Sequence, residues 1–382
     1  MRTYKFRIYP SKAQEKELCR HLWISKELWN KLLEATVRKY DSEKKFPTKS
    51  EFQIMVKKSG LYSQTAQGIA HRLLRALKAK VKAKKEGRKW GFPRFKSFDR
   101  IKSLYYPQYE MGFSLNKKLK VSLFGEITIK KHREIEGKIK TLTLKREPTG
   151  KWFASLCVEK EKKEPKVNKG GAVGVDLGLM AFATLSNGEK IKNPHHFNKF
   201  QERLAFAQRK QSRKSKCSKN RRKAMLKIAL VHEKIGNTRQ DFLHKIANQL
   251  LSNYSFIALE KLASQEMAEK GHGKNINDAG WNMFANILDY KAEEAGSQVV
   301  FVNPRNTSRE CSDCGALVNK ELWERRHNCP SCGLSMDRDV NAAINILKRA
   351  TEGTSESNAS GNVAIATPMK EESIIAPQGR LG

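Results

Sequence analysis

Apolar and polar residues alternate at the start of the chain and again between residues 101 and 160. In TYKFRIYP the apolar positions are Tyr4, Phe6 and Ile8, and this period of two predicts a strand. The segments KLKVSLFGEITIKK, KTLTLKRE and WFASLCVEK alternate in the same way. The pattern predicts a small β-module, which the N-terminal strand can join.

Between these strands the apolar residues take on helical spacing, with leucines recurring from Leu18 to Leu33 and from Leu73 to Leu77. Ser11 followed by Gln14 predicts a capping box at the start of the first helix. A later helix, HRLLRALKAKVKAKKEGRK, is strongly basic, and the Gly and Pro of KWGFPRF are expected to end it. These helices are therefore predicted to form an insertion in the β-module.

The second half of the chain shows a different order of elements. AVGVDLGLMAFATLSNGEKI predicts a buried strand, a turn and a second strand that ends in a hairpin turn at Asn187-Gly188. Helical residues 200–250, the strand SFIALE, a helix that stops at Gly296, the strand SQVVFV and the helix NAAINILKRA follow. This order of strands and helices is that of an RNase H-like α/β fold. EKKEPKVNKGG predicts a linker before it, and the Ser/Gly/Ala-rich sequence from about residue 351 predicts a disordered tail.

Two Cys-x2-Cys pairs stand late in the chain, and their members are Cys311, Cys314, Cys329 and Cys332. Each pair can place two thiolates on one tight turn, and two such turns make the closed tetrahedral shell typical of structural zinc. Gly315 and Gly333 follow the two pairs, where a positive φ is useful. Four free cysteines or an iron centre are the alternatives. A closed shell leaves no open coordination position, so this zinc is not expected to catalyse hydrolysis. The neighbouring His327 is expected at the surface.

Three carboxylates occupy positions where a charge is costly. Asp176 and Glu260 end apolar strands, and Asp339 begins the helix after the cysteine block. A buried carboxylate is unfavourable unless it is paired or binds a cation. Three together predict a site for magnesium, whose preferred ligands are oxygen atoms, and two such ions can promote attack of water on a phosphodiester. The DxG motif around Asp176 also occurs in sugar kinases and actin-like ATPases, but the sequence has no P-loop motif.

The charge of the chain favours phosphodiester chemistry over ATP binding. Lys and Arg number 75 against 39 Asp and Glu, a formal charge of +36, and the basic residues are spread over most of the chain. A polyanion such as nucleic acid is the expected partner. An anionic membrane surface is the alternative, but no amphipathic anchor, lipidation signal or apolar run of 18 residues supports it.

The N-terminus and the cysteines indicate a cytoplasmic protein. The start MRTYKFRIYPSKAQ is charged and strand-like, unlike a signal peptide. Three of the seven cysteines are scattered singly, at Cys19, Cys157 and Cys217, which does not suggest a disulfide framework. A reducing compartment and a metal site fit this pattern.

The motifs quoted above resemble a known family. GVDLGLMAFATLSNG, IALEKLA, and TSRECSDCG followed by CPSCGLSMDRDVNAAINIL look like the three RuvC motifs and the zinc ribbon of TnpB (OrfB) proteins. KFRIYPS, GFPRFKS and NTRQDFLHKIA also match the habits of this family, so the resemblance covers nearly the whole chain. TnpB proteins are RNA-guided DNA endonucleases encoded by insertion sequences and are thought to be ancestral to type V CRISPR effectors.

The resemblance implies a role for each candidate residue. Asp176, Glu260 and Asp339 fall on the catalytic, metal-binding triad, with Asp337 as the second choice for the third acid. The four cysteines fall on the zinc ligands. The implied partners are a non-coding guide RNA and double-stranded DNA, which is cut beside a short target-adjacent motif, and no membrane is implied.

The resemblance also implies a division into modules. These are a β-barrel wedge module, a helical recognition domain, a RuvC-like nuclease, a zinc ribbon inserted in it, and a tail. Their expected ranges are, in the same order, 1–10 with 101–165, 11–100, 170–310 with 334–350, 311–333, and 351–382.

Basic residues in two regions are candidates for nucleic-acid contact. They lie in the basic helix and the GFPRF segment after it, and in RKQSRKSKCSKNRRK, which has nine basic residues in fifteen. The candidates are Arg72, Arg75, Lys78, Lys82, Arg94, Lys96, Arg213, Lys214, Arg221 and Arg222. A solvated helix face is the alternative for each region. Base stacking and ordinary packing are equally open for Tyr105, Tyr106 and Tyr109.

Three functions fit the sequence to different degrees. The intact triad favours an active RNA-guided nuclease over an RNA-guided repressor that binds without cutting. A DNA-binding transposition protein is the third reading. If the zinc ribbon lies at the mouth of the active site, it can gate the substrate strands, and replacing Lys320, Arg325 and Arg326 is then expected to slow cleavage more than it weakens RNA binding.

Overall fold

The computed structural model describes residues 1–160, 168–262, 278–321 and 323–359, with only the backbone for 353–359. It divides into two compact units, residues 1–163 with 207–233 and residues 164–206 with 234–382. Most of the predicted linker, residues 161–167, and most of the predicted tail, residues 360–382, lie outside the described residues.

The first unit is built on a seven-stranded antiparallel sheet with the order β2-β6-β7-β1-β5-β4-β3. Its strands are β1 (Arg2–Tyr9), β2 (Ser103–Tyr106), β3 (Phe113–Leu115), β4 (Leu119–Val121), β5 (Gly125–Lys130), β6 (Lys138–Arg146) and β7 (Trp152–Glu159). The N-terminal strand therefore lies inside the sheet, between β7 and β5. The alternation in its sequence places Tyr4, Phe6 and Ile8 in the core, as predicted.

Three helices leave this sheet between β1 and β2, namely α1 (Lys12–Glu43), α2 (Lys49–Val56) and α3 (Ser63–Lys85). The capping box is confirmed, because the Ser11 hydroxyl accepts the Gln14 amide at 3.2 Å and the Gln14 side chain accepts the Ser11 amide at 3.0 Å. The Gln14 side-chain amide also donates to the Phe124 carbonyl at 2.9 Å, which ties the start of α1 to the turn before β5.

The second unit contains a five-stranded sheet with the order β10-β9-β8-β11-β12. Its strands are β8 (Gly171–Leu177), β9 (Ala181–Leu185), β10 (Lys190–Lys192), β11 (Tyr254–Glu260) and β12 (Gln298–Val302). The strands β8, β11 and β12 are parallel, and β9 runs antiparallel to β8 through the hairpin connection. Parallel strands need long crossovers, which here are helical.

The helices that follow are α4 (His196–Ser212), α5 (Lys219–Asn253), α6 (Trp281–Ala295) and α7 (Arg338–Ala359). The predicted stop of α6 is confirmed, because Gly296 caps it with φ +71°. The helix α7 continues to Ala359, past residue 350, where the tail was expected to begin. In the described part of the chain no helix is both long and apolar enough to span a membrane.

The helix α7 packs directly on β8. A Cβ atom built on Gly174 would lie 1.9 Å from the carbonyl oxygen of Ala343, so the strand and the helix touch backbone to backbone. Only glycine fits at this crossing. Ile346 and Ala350 on α7 are buried with Ala258 of β11 and Val302 of β12, which extends the contact across the sheet.

Candidate functional site

The four cysteines of the second unit form one compact cluster. Their ligand atoms all lie within 4.8 Å of one another, and the Sγ–Sγ distances are 3.6 Å for Cys311 to Cys332 and for Cys314 to Cys329. A tetrahedral zinc site with Zn–S bonds of about 2.3 Å requires sulfur atoms about 3.8 Å apart. The cluster therefore has the size and chemistry of a zinc site and could hold this ion.

The two knuckles of the cluster repeat the same backbone pattern. The Gly315 amide donates to the Cys311 carbonyl at 3.0 Å, and the Gly333 amide donates to the Cys329 carbonyl at 2.9 Å. The two glycines have φ +76° and +78°, which confirms the expected use of positive φ. The short strands β13 (Arg326–Asn328) and β14 (Ser335–Asp337) frame the second knuckle.

The expectation that His327 lies at the surface is wrong. His327 is 0% exposed because β13 alternates and turns its central side chain inward. Its Nδ1 atom contacts the ammonium group of Lys320. Burial lowers the pKa of His327, and the charge of Lys320 lowers it further, so the ring is neutral and accepts this hydrogen bond.

The Lys320 contact also changes the gating expectation. Lys320 is half-buried inside the cysteine module, whereas Arg325 and Arg326 are exposed. Replacing Lys320 would therefore disturb the module itself, and only the two arginines can report on substrate strands.

Asp176 and Glu260 are brought together by the parallel pairing of β8 and β11. The register pairs Gly174 with Ala258 and Val175 with Leu259, so Asp176 and Glu260 follow at the next step at the carboxyl ends of the two strands. Carboxyl ends of neighbouring parallel strands are where open α/β sheets bind ligands. Both residues are half-buried.

The start of α7 separates the roles of Asp337 and Asp339. Asp337 is the N-cap residue: its Oδ1 atom accepts the amides of Asp339 at 3.0 Å and of Val340 at 3.3 Å, and its Oδ2 atom accepts the Lys190 ammonium at 2.6 Å. Asp339 lies one helical turn before Ala343, the residue that touches Gly174, and Gly174 is on the same side of β8 as Asp176. Asp339 therefore shares a face with Asp176, and Asp337 has its oxygen atoms already engaged.

The electrostatic environment disfavours the ionised form of Asp176 and of Glu260 but favours it for Asp337. Burial, together with the nearby charges of Glu260 and Asp339, raises the pKa of Asp176 to about 8, against the opposing charge of Arg338. Burial also raises the pKa of Glu260, against the opposing effects of the Thr307 hydroxyl and Arg349. Asp337 differs: burial alone would raise its pKa, but the Lys190 ammonium and the helix amides hold it below its usual range.

The acids are more widely spaced than the cysteines. Among the residues that the structure describes, only the four cysteines form a group of three or more His, Cys, Asp or Glu side chains whose ligand atoms all lie within 4.8 Å. The acids nevertheless fit a cation. Burial and the neighbouring carboxylates raise the pKa of Asp176, and a bound cation would lower it again by stabilising the ionised carboxylates.

Sequence reasoning missed the residues that attach the cysteine module to the acids. Asn341 and Asn345 are buried on α7, and each donates from its side-chain amide to the Glu310 carbonyl at 2.7 Å. The Asn341 carbonyl oxygen also accepts the Ser312 amide at 2.9 Å, and the Thr307 hydroxyl contacts the Glu260 carboxylate. The available signal was the spacing of two asparagines by four residues on an apolar helix face. The module is thus bound to the same helix that carries Asp339.

Three of the four nucleic-acid candidates on α3, all except Arg72, line a groove of about 780 Å³ in the first unit. Arg75, Lys78 and Lys82 lie along one face of α3, opposite Phe46 and Pro47. Spacing by three or four residues puts their charges on one side of the helix. This face can follow a phosphate backbone.

The other candidates are used differently. Arg213 and Lys214 are exposed after α4, but the Arg221 guanidinium donates to the carbonyls of Gln211 at 3.4 Å and Lys214 at 2.9 Å and so closes the turn. Arg222 is exposed beside it on α5.

Base stacking and ordinary packing were both open for three tyrosines. Of these, Tyr106 is 1% exposed and stacks on Tyr62 with ring centroids 5.4 Å apart. Tyr109 packs edge-on against Phe113. Packing is therefore the role of these two residues.

The class of protein is given first by the fold. The chain is similar to the structure titled "Cryo-EM structure of the Cas12f1-sgRNA-target DNA complex", with a TM-score of 0.56 and 16% identity over 88% of this chain and 83% of that chain. The fold is an α/β fold of the Cas12f type.

The relatives then give the family. A Streptomyces pristinaespiralis protein named "Putative RNA-guided DNA endonuclease" is 34% identical over 359 residues, which cover 91% of this chain and 88% of the relative. The Escherichia coli protein "Putative RNA-guided DNA endonuclease InsQ" is 29% identical over 369 residues, 91% of this chain and 92% of the relative. The chain belongs to the TnpB (OrfB) family.

Three family descriptions match segments of the chain. Residues 155–271 match "Probable transposase", residues 281–346 match "Cas12f1-like, TNB domain", and residues 1–45 match "Helix-turn-helix domain". In this structure residues 1–45 form β1 and the single long helix α1. The second match covers the cysteine cluster and most of the α7 contacts described above.

Proposed function

We propose that the protein is an RNA-guided DNA endonuclease of a transposable element, which cuts double-stranded DNA beside a short target-adjacent motif. The observation that carries the proposal is the position of Asp176 and Glu260 at the carboxyl ends of adjacent parallel strands, with Asp339 of α7 on the same face of β8 as Asp176. A structural carboxylate is normally neutralised by a cation or by hydrogen bonds. These three acids are instead suited to a bound metal ion, and the family relationship supports nuclease chemistry.

The sheet order supports a RuvC-like, RNase H-like nuclease. The sheet has three parallel strands with an antiparallel hairpin strand on one side, and two acids end adjacent parallel strands. Following the family resemblance, we further propose that residues 1–10 with 101–165 are a β-barrel wedge module and residues 11–100 a helical recognition domain. Residues 170–310 with 334–350 would then be the nuclease and 311–333 the zinc ribbon.

In the proposed mechanism Asp176, Glu260 and Asp339 would hold the catalytic metal. Magnesium, with two ions bound, would supply a more acidic attacking water and neutralise the leaving oxygen of the phosphodiester. Thr307 orients Glu260 through its hydroxyl contact, and Asp337 fixes the start of α7 so that Asp339 faces Asp176. The four cysteines would hold a structural zinc ion with no open position, so zinc would hold the ribbon without taking part in hydrolysis.

The test compares Asp176 and Asp339 with Asp337, the acid that precedes α7. Asp339→Ala and Asp176→Ala are each expected to abolish cutting of a matching target duplex, while binding of guide RNA and DNA persists. Asp337→Asn is the matched control, because asparagine can still accept the helix amides; it is expected to retain most cleavage. Cleavage that survives in Asp176→Ala would contradict the assignment.

The RNA that co-purifies with the protein distinguishes the guided nuclease from the two alternative functions. The first measurement is sequencing of the RNA that co-purifies when the protein is expressed with its native downstream DNA. A discrete RNA with a constant scaffold and a variable 3′ end supports guidance. Heterogeneous RNA alone would favour a DNA-binding transposition protein, and a discrete RNA without cleavage would favour a guided repressor.

A further inference from the structure

Residues 90–96, WGFPRFK, form a loop without helix or strand that is held in place at several points. The Lys80 ammonium donates to the Trp90 carbonyl at 3.0 Å, and the Trp29 indole donates to the Arg94 carbonyl at 3.2 Å. The Asn30 side chain pairs with Lys96 twice, accepting its amide at 2.8 Å and donating to its carbonyl at 3.0 Å. These four hydrogen bonds hold the backbone of the loop in one conformation against the first unit, although the loop has no helix or strand.

One aromatic ring of this loop, that of Phe92, packs against the core of the first unit. Phe92 packs edge-on against Tyr40 at 5.2 Å and against Phe46 at 5.9 Å, and Lys80 lies over its face at 4.8 Å. This ring anchors the middle of the loop. The other two rings of the loop, Trp90 and Phe95, are not packed in the core.

Trp90 and Phe95 are 55% and 56% exposed. Large aromatic side chains are normally covered, and the tethers leave these two rings on the solvent side of a fixed backbone. Rigid exposed rings suit stacking on unpaired bases, because every base has a π-face and a fixed ring loses little entropy on binding.

Positive charges without a carboxylate partner lie in the loop and next to it. Arg94 is exposed, and the Lys96 ammonium sits 3.5 Å from the centre of the Trp29 ring. Burial lowers the pKa of Arg72 and of Lys96, and Lys96 is lowered further by the charge of Arg72. In the described part of the chain none of these three residues forms an ion pair, although many other lysines and arginines of the first unit do. Half-buried cations without a carboxylate are suited to phosphate.

We infer that the 90–96 loop binds an unpaired stretch of the guide RNA, with Trp90 and Phe95 stacking on bases and Arg94, Lys96 and Arg72 holding the phosphates between them. In Arg94-Phe95-Lys96 an exposed ring stands between two cations, in the same order as a base between two phosphates along a single strand. Duplex has no free base faces, and unpaired segments are where proteins recognise RNA by stacking. This inference rests on the proposed function only in naming the strand as guide RNA.

The first test measures binding without cleavage. The full chain is titrated with a fluorescent 12-nucleotide oligo(U) and with a 12-base-pair duplex. Trp90→Ala and Phe95→Ala are each expected to weaken oligo(U) binding about tenfold and to leave duplex binding nearly unchanged. Trp23→Ala is the matched control, because Trp23 is likewise 51% exposed but lies on α1 outside the 90–96 loop, about two helical turns before Asn30. Equal losses for duplex and single strand, or none for either, would overturn the inference, and thermal melting of each variant checks the fold.

The second test identifies the strand. The protein is expressed with its native downstream DNA in cells fed 4-thiouridine, irradiated, and digested for peptide mapping, and a parallel sample carries 4-thiothymidine in the target DNA. Cross-links from RNA to peptides containing Trp90 or Phe95 are expected. Cross-links from DNA alone would overturn the RNA assignment. A discrete co-purifying RNA with no cross-link to this loop would reject the loop and leave the proposed function standing.

Discussion

Two aspartates separated by a single residue, Asp337 and Asp339, show how position gives one residue type two different roles. Asp337 precedes α7 and uses its oxygen atoms for the helix amides and for Lys190. Asp339 stands inside the first turn, on the face toward Asp176. The sequence DRD favoured Asp339 only through a family pattern, because neither capping nor the Lys190 contact can be seen without the fold.

Lys96 offers a test of charge at a single residue. Burial and the neighbouring Arg72 lower its pKa to about 8 from the usual 10.5. Between these values the unfolded chain holds the proton and the folded chain does not, so the stability of the free protein is expected to rise with pH across this window. A phosphate at the loop requires the protonated form, so affinity for oligo(U) is expected to fall as pH rises through about 8.

The change Lys96→Met separates these effects. Methionine can keep contact with the Trp29 ring but carries no charge. At 0.1 M salt the variant is expected to bind oligo(U) about fivefold more weakly, since one lost contact lowers the salt slope by about 0.7 for single strands. The dependence on pH between 7 and 9 should become flatter, which anisotropy titrations at three pH values would measure. An unchanged pH profile would show that Lys96 only packs.

At the scale of the element, the crossing of β8 and α7 leaves no space for a side chain between the two backbones. Gly174→Ala would place a methyl group against the Ala343 carbonyl, so the helix must move away from the strand. We expect a loss of about 3 kcal/mol or more in the free energy of unfolding of the second unit, measured with denaturant.

Gly171→Ala is the control in the same strand, because a Cβ atom there meets nothing within 4 Å. It is expected to change stability by no more than about 0.5 kcal/mol. If both variants unfold alike, the crossing does not depend on the missing side chain.

The cysteine module provides a second test at this scale. Cys332→Ser is expected to reduce the zinc content from one ion per chain to nearly none, as measured by mass spectrometry of the purified protein, and to lower the melting temperature. Cys217→Ser is the control, since Cys217 is exposed and lies outside the cluster. Full zinc content in Cys332→Ser would contradict a four-cysteine site.

Elements set by local pattern were predictable from sequence. The strand of Tyr4, Phe6 and Ile8, the capping box at Ser11 and the stop at Gly296 each depend on neighbours within a few residues. His327 was misplaced because a three-residue strand is too short to show alternation. The Asn341 and Asn345 contacts depend on a segment about thirty residues earlier in the chain, which no local pattern reveals.

At the scale of the molecule, the net charge of +36 shows a preference for polyanions but not where they bind. The structure sorts the cations: some are paired with carboxylates or backbone, as Arg221 is, and others line the α3 groove or the 90–96 loop. Composition could predict the class of partner. The distribution of charges could not be predicted, because pairing depends on tertiary contacts.

The contribution of the cations that line the α3 groove can be measured from the salt dependence of duplex binding. Replacing Arg75, Lys78 and Lys85 with alanine is expected to lower the slope of log affinity against log salt for a 20-base-pair duplex by about 2 to 3, because each phosphate contact contributes about 0.9.

A control triple variant removes Lys118, Lys140 and Lys145, whose ammonium groups already pair with carboxylates at 3.4, 2.5 and 3.3 Å. It should change the slope by less than one. Similar slopes for the two variants would mean that total charge, and not the groove, governs binding.

The backbone contact between Gly174 and Ala343 also has a consequence for synthesis on the ribosome. The strand β8 is made early in the second unit, but the helix that covers it is made only after β11, β12 and the cysteine module. At translation rates of roughly 5 to 20 residues per second, β8 waits roughly ten to thirty seconds for its cover. The nascent chain therefore carries a bare, uncovered strand face during that time, and Asp339, which completes the acidic site, arrives with the cover. A partly made chain would thus lack the complete set of three acids proposed above until α7 has been synthesised.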